Sequence, residues 1–142
     1  MKKFIEFSFV FLFGGVLYCL MEILWRGFTH WTMGIAGAVC FTAIHLLRKY
    51  CPEVPLWIRC AAGAVFICSI EFTTGFFVNI ILEWNVWDYS DKWFNLYGQI
   101  CPLYALLWFL ICIPGNSISK FLESTFFITK NSSDDRKERY YE

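Results

Sequence analysis

Glu71, Gly75 and Asn79 recur at four-residue intervals inside the apolar stretch IRCAAGAVFICSIEFTTGFFVNIIL, so on a helix they share one face. A carboxyl group in such a stretch must be paired or neutral, because an isolated charge there is very costly. At the centre of a membrane helix an ionisable side chain costs roughly 2.5–3.5 kcal/mol even on the lenient insertion scale. Gly75 leaves a gap between the two polar groups, with room for a neighbouring backbone or a ligand. A second face carries Gly15, Tyr18, Glu22 and Arg26 at three- and four-residue spacing, with Glu22 and Arg26 in the favourable order for an ion pair. A third set lies in VWDYSDKWFNLYGQI, where Asp88, Tyr89, Asn95 and Gln99 stand among aromatic residues between two apolar runs. These groups suit the binding of a polar ligand, gating by an ion pair, or acid–base chemistry at Glu71 and Asp88 if their pKa values are driven apart.

Each of these residues also has a structural reading. Glu22–Arg26 reads equally as an interfacial ion pair, and Glu71 as a hydrogen bond between helices. Trp84, Trp87, Tyr89, Trp93 and Tyr97 suit an aromatic belt at headgroup level, and Asp88 and Ser90 suit a turn. His45, beside Arg48 and Lys49, reads as a residue snorkelling to the interface rather than as a ligand. Gly15 and Gly37, with their neighbours Gly14 and Gly34, suit close helix packing; Gly75 and Gly98 are the other small residues expected to serve structure.

Composition dictates the elements that position these groups. Of 142 residues, 58% are hydrophobic and 21% aromatic, and the mean hydropathy is +0.50. Charged residues make up 17%, against about 25% in a soluble domain. Eight of them crowd into the final segment KNSSDDRKERYYE, which leaves a body almost without charge. The expected class is an all-α integral membrane protein, a single transmembrane helical domain over 1–128 with a charged, disordered cytoplasmic tail over 129–142. The lipid bilayer is then its first partner. A net charge of zero argues against nucleic acid as the main partner, since phosphate binding needs a basic surface. The seven cysteines lie mostly in apolar runs and fit buried thiols better than bridges. No cysteine or histidine spacing points to a metal, and no motif points to a cofactor.

A spanning helix needs about 20 mainly apolar residues. Four segments qualify: Phe4 to Trp25, Trp31 to Tyr50, Pro55 to Leu82, and a fourth that starts near Gln99 and reaches Ile113, where PGNS interrupts it. Beyond Pro114, SISKFLESTFFITK either extends the fourth helix past a kink or forms a short fifth, interfacial helix. Lys and Arg concentrate before the first span, between the second and third, and after the fourth, so the positive-inside rule places both termini in the cytoplasm. The expected location is the cell membrane. Glu22, Arg26, Asn79, Asp88, Tyr89, Asn95 and Gln99 would then gather at the outer surface with Glu71 somewhat deeper. The polar loop becomes a lid or wall of an outward-facing site.

The segments GGVLYCLMEILWRG, MGIAGAVCF, IEFTTGFFVN and VWDYSDKWFNLYGQIC, the last followed by LLWFL, resemble the type IV ABC-transporter membrane family, to which the transmembrane protein 229 family is similar. The resemblance runs from about Gly14 to Trp108. It implies a multi-helix membrane protein that acts as a permease partner, and it falls on Glu22, Arg26, Glu71, Gly75, Asn79, Trp87, Asp88, Tyr89, Ser90, Asn95, Gly98 and Gln99. The chain has no GxxxxGK[ST] motif, so an ATP-driven motor would come from another chain. Three functions stay open: a permease or substrate-binding component for a small solute or lipid, acting as a homo-oligomer or with membrane or ATPase partners; an intramembrane enzyme acting on a lipid or isoprenoid; and a structural or regulatory membrane subunit. No nucleophile or metal motif favours the enzyme.

Overall fold

The computed structural model describes residues 1–128, and the charged segment 129–142 lies outside the described residues. Four long helices follow one another. Helix α1 (Lys2–Arg26) stops at Gly27, whose φ of 82° is the left-handed conformation that closes helices, and whose N–H bonds back to Ile23 O. Helix α2 (Trp31–Tyr50) begins where the His30 ring accepts the Thr32 N–H. Helix α3 (Leu56–Gly75) starts directly after Pro55 and continues as a π-helical segment over Phe76–Ile81. Helix α4 (Pro102–Leu122) takes Pro102 in its first turn, where a missing N–H costs nothing, and runs on as a π-helical segment over Glu123–Ile128.

All four are long and apolar enough to cross a membrane: Lys3–Arg26, Trp31–Tyr50, Leu56–Ile81 and Pro102–Phe127. The protein is an all-α membrane protein, as composition requires. One expectation fails in detail. PGNS does not interrupt the fourth span, and of the two alternatives beyond Pro114 the extension of the fourth helix holds, with no separate fifth helix among the described residues; the helix begins at Pro102 rather than near Gln99. Without water to solvate free carbonyls, a proline in a membrane helix is better accommodated than avoided. Here Gly115 packs 3.6 Å from Ile44 (measured to an added Cβ), and Asn116 Nδ2 donates to Cys112 O at 2.8 Å, supplying a side-chain donor within the turn around the proline.

Helix α2 is the central element. Half of its most apolar window is buried, against 11% for α1, and it packs against α1, α3 and α4. The α1–α2 contact is close because glycines line it. A methyl group at Gly15 would stand 2.9 Å from Gly34 O, and one at Gly37 would collide with the root of the Tyr18 side chain. Helices α3 and α4 pack together through Gly63 and Cys112, around a core of Cys40, Ile44, Cys60, Ala64, Ile67, Trp108 and Cys112. All seven cysteines are free thiols. Helix α1 makes no comparable approach to α3 or α4. One end of the bundle carries the α1–α2 and α3–α4 connections (the loop end); the other carries the N-terminus and the α2–α3 connection (the terminal end).

Candidate functional site

Helix α1 packs chiefly on α2, and beyond the Tyr18–Trp108 ring contact, 5.9 Å between centroids, its loop-end half stands apart from α4. Between them lies a cavity of about 420 Å³. Helix α1 lines it with Tyr18, Met21, Glu22, Leu24, Trp25 and Arg26, helix α4 with Tyr104, Leu107, Trp108 and Ile111, and the rest comes from Met33, Trp87 and Tyr89. Its walls are mainly apolar, with the polar groups concentrated at the Glu22–Arg26 end.

That end is built as an ion pair with one further anchor. Arg26 Nη2 lies 2.8 Å from Glu22 Oε1, and Thr29 Oγ1 donates to Glu22 Oε2 at 2.6 Å. Arg26 Nη1 donates to Val86 O at 2.7 Å, tying the end of α1 to the α3–α4 connection. The guanidinium also sits 4.4 Å over the Phe28 ring. Its Nε and Nη2 are buried and make no hydrogen bond among the described residues, Nη2 meeting Glu22 only as an ion pair.

Behind the cavity wall lies Glu71, only 4% exposed. Trp108 Nε1 donates to its Oε2 at 2.7 Å and the Tyr89 hydroxyl to its Oε1 at 3.3 Å. Tyr89 stacks on Tyr104 with ring centroids 4.3 Å apart. Burial, and then the nearby Glu71 carboxylate, push the Tyr89 phenol above its ordinary pKa, so it remains a donor. Glu71 therefore fixes the orientation of two aromatic side chains that face the cavity.

The face shared by Glu71, Gly75 and Asn79 meets the α3–α4 connection, and at Glu71 also Trp108 of α4. The gap expected at Gly75 is filled. A methyl group there would collide with Gln99 Oε1 and stand 2.8 Å from the Trp87 ring. Asn79 Nδ2 donates to Gln99 Oε1 at 2.8 Å, and Asn79 Oδ1 accepts the Val86 N–H at 2.7 Å. Gln99 Nε2 donates to Tyr97 O, and Trp87 Nε1 donates to Gln99 O. These bonds fold the connection back onto the bundle and bury Trp87 and Gln99. The tip of the connection is held by its own residues. Asp88 Oδ1 accepts from the Ser90 N–H and hydroxyl; Asn95 donates to Ser90 O and Lys92 O and accepts from the Gly98 N–H. Gly98 has φ +68°, and a methyl group on it would stand 2.6 Å from Ser90 Oγ. The Ser90 hydroxyl, then its N–H, hold the Asp88 carboxyl below the usual carboxylate range.

Of the sequence candidates, the structure thus joins Glu22 to Arg26, Glu71 to Tyr89 and Asn79 to Gln99, and it connects Arg26 to Asn79 through the Val86 peptide. Glu22, Arg26 and Tyr89 line the cavity; Asp88 and Asn95 bond only within the connection. Sequence reasoning placed Tyr18 on the Glu22–Arg26 face but missed Tyr104 as a cavity residue and Trp108 as the principal partner of Glu71. The signal for Trp108 was available, since an indole N–H inside a span needs an acceptor.

It also missed a polar cluster at the terminal end. His45 does not snorkel to the interface: it is 3% exposed, with Nδ1 2.9 Å from Ser119 Oγ and Nε2 3.1 Å from Glu6 Oε1. Lys49 Nζ bonds both Glu6 oxygens at 2.6 Å. Arg48 donates to Ser119 Oγ at 2.8 Å and pairs with Glu123. The cluster clamps α1, α2 and α4. Its signal was two i, i+4 pairs, His45/Lys49 and Ser119/Glu123, that needed partners from other helices. Among the described residues, no group of His, Cys, Asp and Glu is placed to hold a metal.

No solved structure matches the chain. The family "Putative ABC-transporter type IV" matches it over residues 2–133, from the first residue of α1 to beyond the last described residue. With four membrane-spanning helices and a family match over nearly its whole length, the chain belongs to that family and is a membrane transport-related component.

Proposed function

We propose that the protein is the substrate-binding membrane component of a transport assembly, that the α1–α4 cavity is its substrate site, and that any ATP-hydrolysing motor is a separate chain. The observation that carries this reading is the separation of α1 from α4 at the loop end. The α1–α2 and α3–α4 contacts are close, through glycines and a thiol, whereas here an apolar space with one charged pair is left between two spans. Pockets of a few hundred Å³ with apolar walls and a few convergent polar groups are typical small-molecule sites.

In this reading Glu22 and Arg26 meet the polar part of the substrate, and Tyr18, Tyr89, Tyr104 and Trp108 form the wall. Glu71 positions Tyr89 and Trp108. Asn79 and Gln99 hold the root of the connection, and Asp88 and Asn95 hold its tip. The site faces outward if the basic flanks lie in the cytoplasm. Helix α1 packs chiefly on α2, which leaves its outer face free for a second copy or a partner subunit.

The test is native mass spectrometry of the full chain released from a mild detergent. Wild type is expected to retain a bound molecule, and Leu107→Trp, which fills the cavity, to lose it. Val16→Trp, on the 61% exposed outer face of α1, serves as the control and is expected to retain it. An adduct that survives both Leu107→Trp and Met21→Trp, or no adduct in wild type, overturns the reading.

A further inference from the structure

The hydrogen-bonding inventory of the cavity specifies what its occupant must offer. Both Glu22 oxygens are engaged, by Arg26 and by Thr29. Both Glu71 oxygens are engaged, by Trp108 and Tyr89. No carboxylate oxygen at this end therefore lacks a partner, so the site has nothing special to give an amine. What it lacks is an acceptor: Arg26 Nε is a buried donor with no partner among the described residues, and Nη2 meets Glu22 as an ion pair without making a hydrogen bond. That donor is not a free positive charge, because Glu22 lies 2.8 Å from the same guanidinium. A formally anionic ligand would compete with Glu22 and meet its charge.

The apolar part of the cavity runs along two spans, between Met21 and Leu24 of α1 and Leu107 and Ile111 of α4. Its rim residues Leu24 and Trp25 are 86% and 74% exposed, although both lie in a membrane-spanning segment. Such a rim faces lipid rather than water. We propose that the cavity takes a long-chain lipid with an uncharged, hydrogen-bond-accepting head (a hydroxyl, or an ester or amide carbonyl) which enters sideways from the bilayer between α1 and α4. This rests on the cavity being the substrate site. The chain lies against Met21, Leu107 and Ile111, and the head accepts from Arg26 Nε.

The experiment places the full chain in phosphatidylcholine nanodiscs and exposes it to three photoreactive probes with the same diazirine-bearing hexadecyl chain: the alcohol, the primary amine and the phosphate monoester. Adducts are mapped by peptide mass spectrometry. The alcohol is expected to label Met21, Leu107 and Ile111, in preference to the other two by the roughly five-fold that one net hydrogen bond confers. Leu107→Trp is expected to remove that labelling and Val16→Trp to leave it. Met21→Trp, with helix content checked by circular dichroism, replaces Leu107→Trp if the latter does not fold. Equal labelling by all three heads, preference for the amine or the phosphate, or labels confined to outward residues such as Val16 and Leu20 overturns the proposal. A chainless, water-soluble molecule lost on filling the cavity would remove the lipid assignment and leave the substrate site standing. Indifference of every bound molecule to Leu107→Trp and Met21→Trp would remove both.

Discussion

The Trp108 indole and the Tyr89 phenol both end on the carboxyl of Glu71, and that convergence decides what a substitution there does. In Glu71→Gln the amide oxygen still accepts from Trp108, and the amide N–H donates to a Tyr89 hydroxyl turned to accept. The loss should stay below about 1 kcal/mol, within the net value of one hydrogen bond. Glu71→Leu leaves the buried Trp108 N–H without a partner and should cost about 1–3 kcal/mol. Thermal unfolding in detergent, followed by circular dichroism, separates the two variants. Gly75→Ala belongs to the same scale. Its methyl group collides with Gln99 Oε1 and presses on Trp87, and both belong to a tightly folded connection. Overpacking of this kind costs about 1–3 kcal/mol, and the loss should appear as faster amide exchange at Val86, whose N–H is held by Asn79.

At the scale of elements, the α3–α4 connection shows how a loop can be as specified as a helix. Glu83, Asn85, Phe94 and Tyr97 all have positive φ without being glycine, a conformation costing roughly 1–2 kcal/mol per residue. Bonds from Asn79, Gln99, Asp88 and Asn95 offset that strain. Asp88 makes its contribution pH-dependent. Its folded pKa lies below the ordinary 3.8, so the stabilisation is fully present above about pH 3.8 and is lost as pH falls through the lower folded value. Protection of the Ser90 amide, corrected for intrinsic exchange, should therefore be flat down to mildly acidic pH and fall below it. Asp88→Asn should abolish that dependence. The four spans were legible in composition and length, and the ion pair Glu22–Arg26 in its spacing. The run of α4 through Pro114 was legible only as one of two alternatives, because PGNS carries local signals of a break; the packing of Gly115 on Ile44 and the bond from Asn116 to Cys112 O are long-range and local contacts that those signals do not show. The fate of Gly75 was equally hidden, since sequence shows a missing side chain and not the Gln99 that fills its place.

The whole molecule is organised by two polar layers at opposite ends of the bundle. The terminal layer is closed: Glu6, His45, Lys49, Arg48, Ser119 and Glu123 bond one another across three helices. The loop-end layer is open between α1 and α4. The first was missed in sequence because its members sit far apart in the chain, at the ends of three spans, where basic residues ordinarily signal the interface. Glu6→Leu should deprive Lys49 of its nearest carboxylate and His45 of one partner. The pair is partly buried, at 11% and 25% side-chain exposure, so the cost should fall at about 1–3 kcal/mol, between a surface pair and a fully buried one. Because this layer clamps α1 to α2 and α4 at the far end, the variant should lower unfolding temperature without removing a molecule bound in the cavity. Unfolding scans paired with native mass spectra of the same sample check both halves of that expectation.

The claim at the centre of this account is that α1 and α4 stand apart to admit a substrate. A structure of the full chain in a lipid nanodisc, inspected between Met21, Arg26, Leu107 and Ile111, tests it most directly. The account predicts discrete density in that space, with one end within about 3 Å of Arg26, the reach of a hydrogen bond. Closure of the space by Leu24, Trp25 and Leu107 packed against one another, with ordered lipid only around the outer faces of the helices, would contradict it.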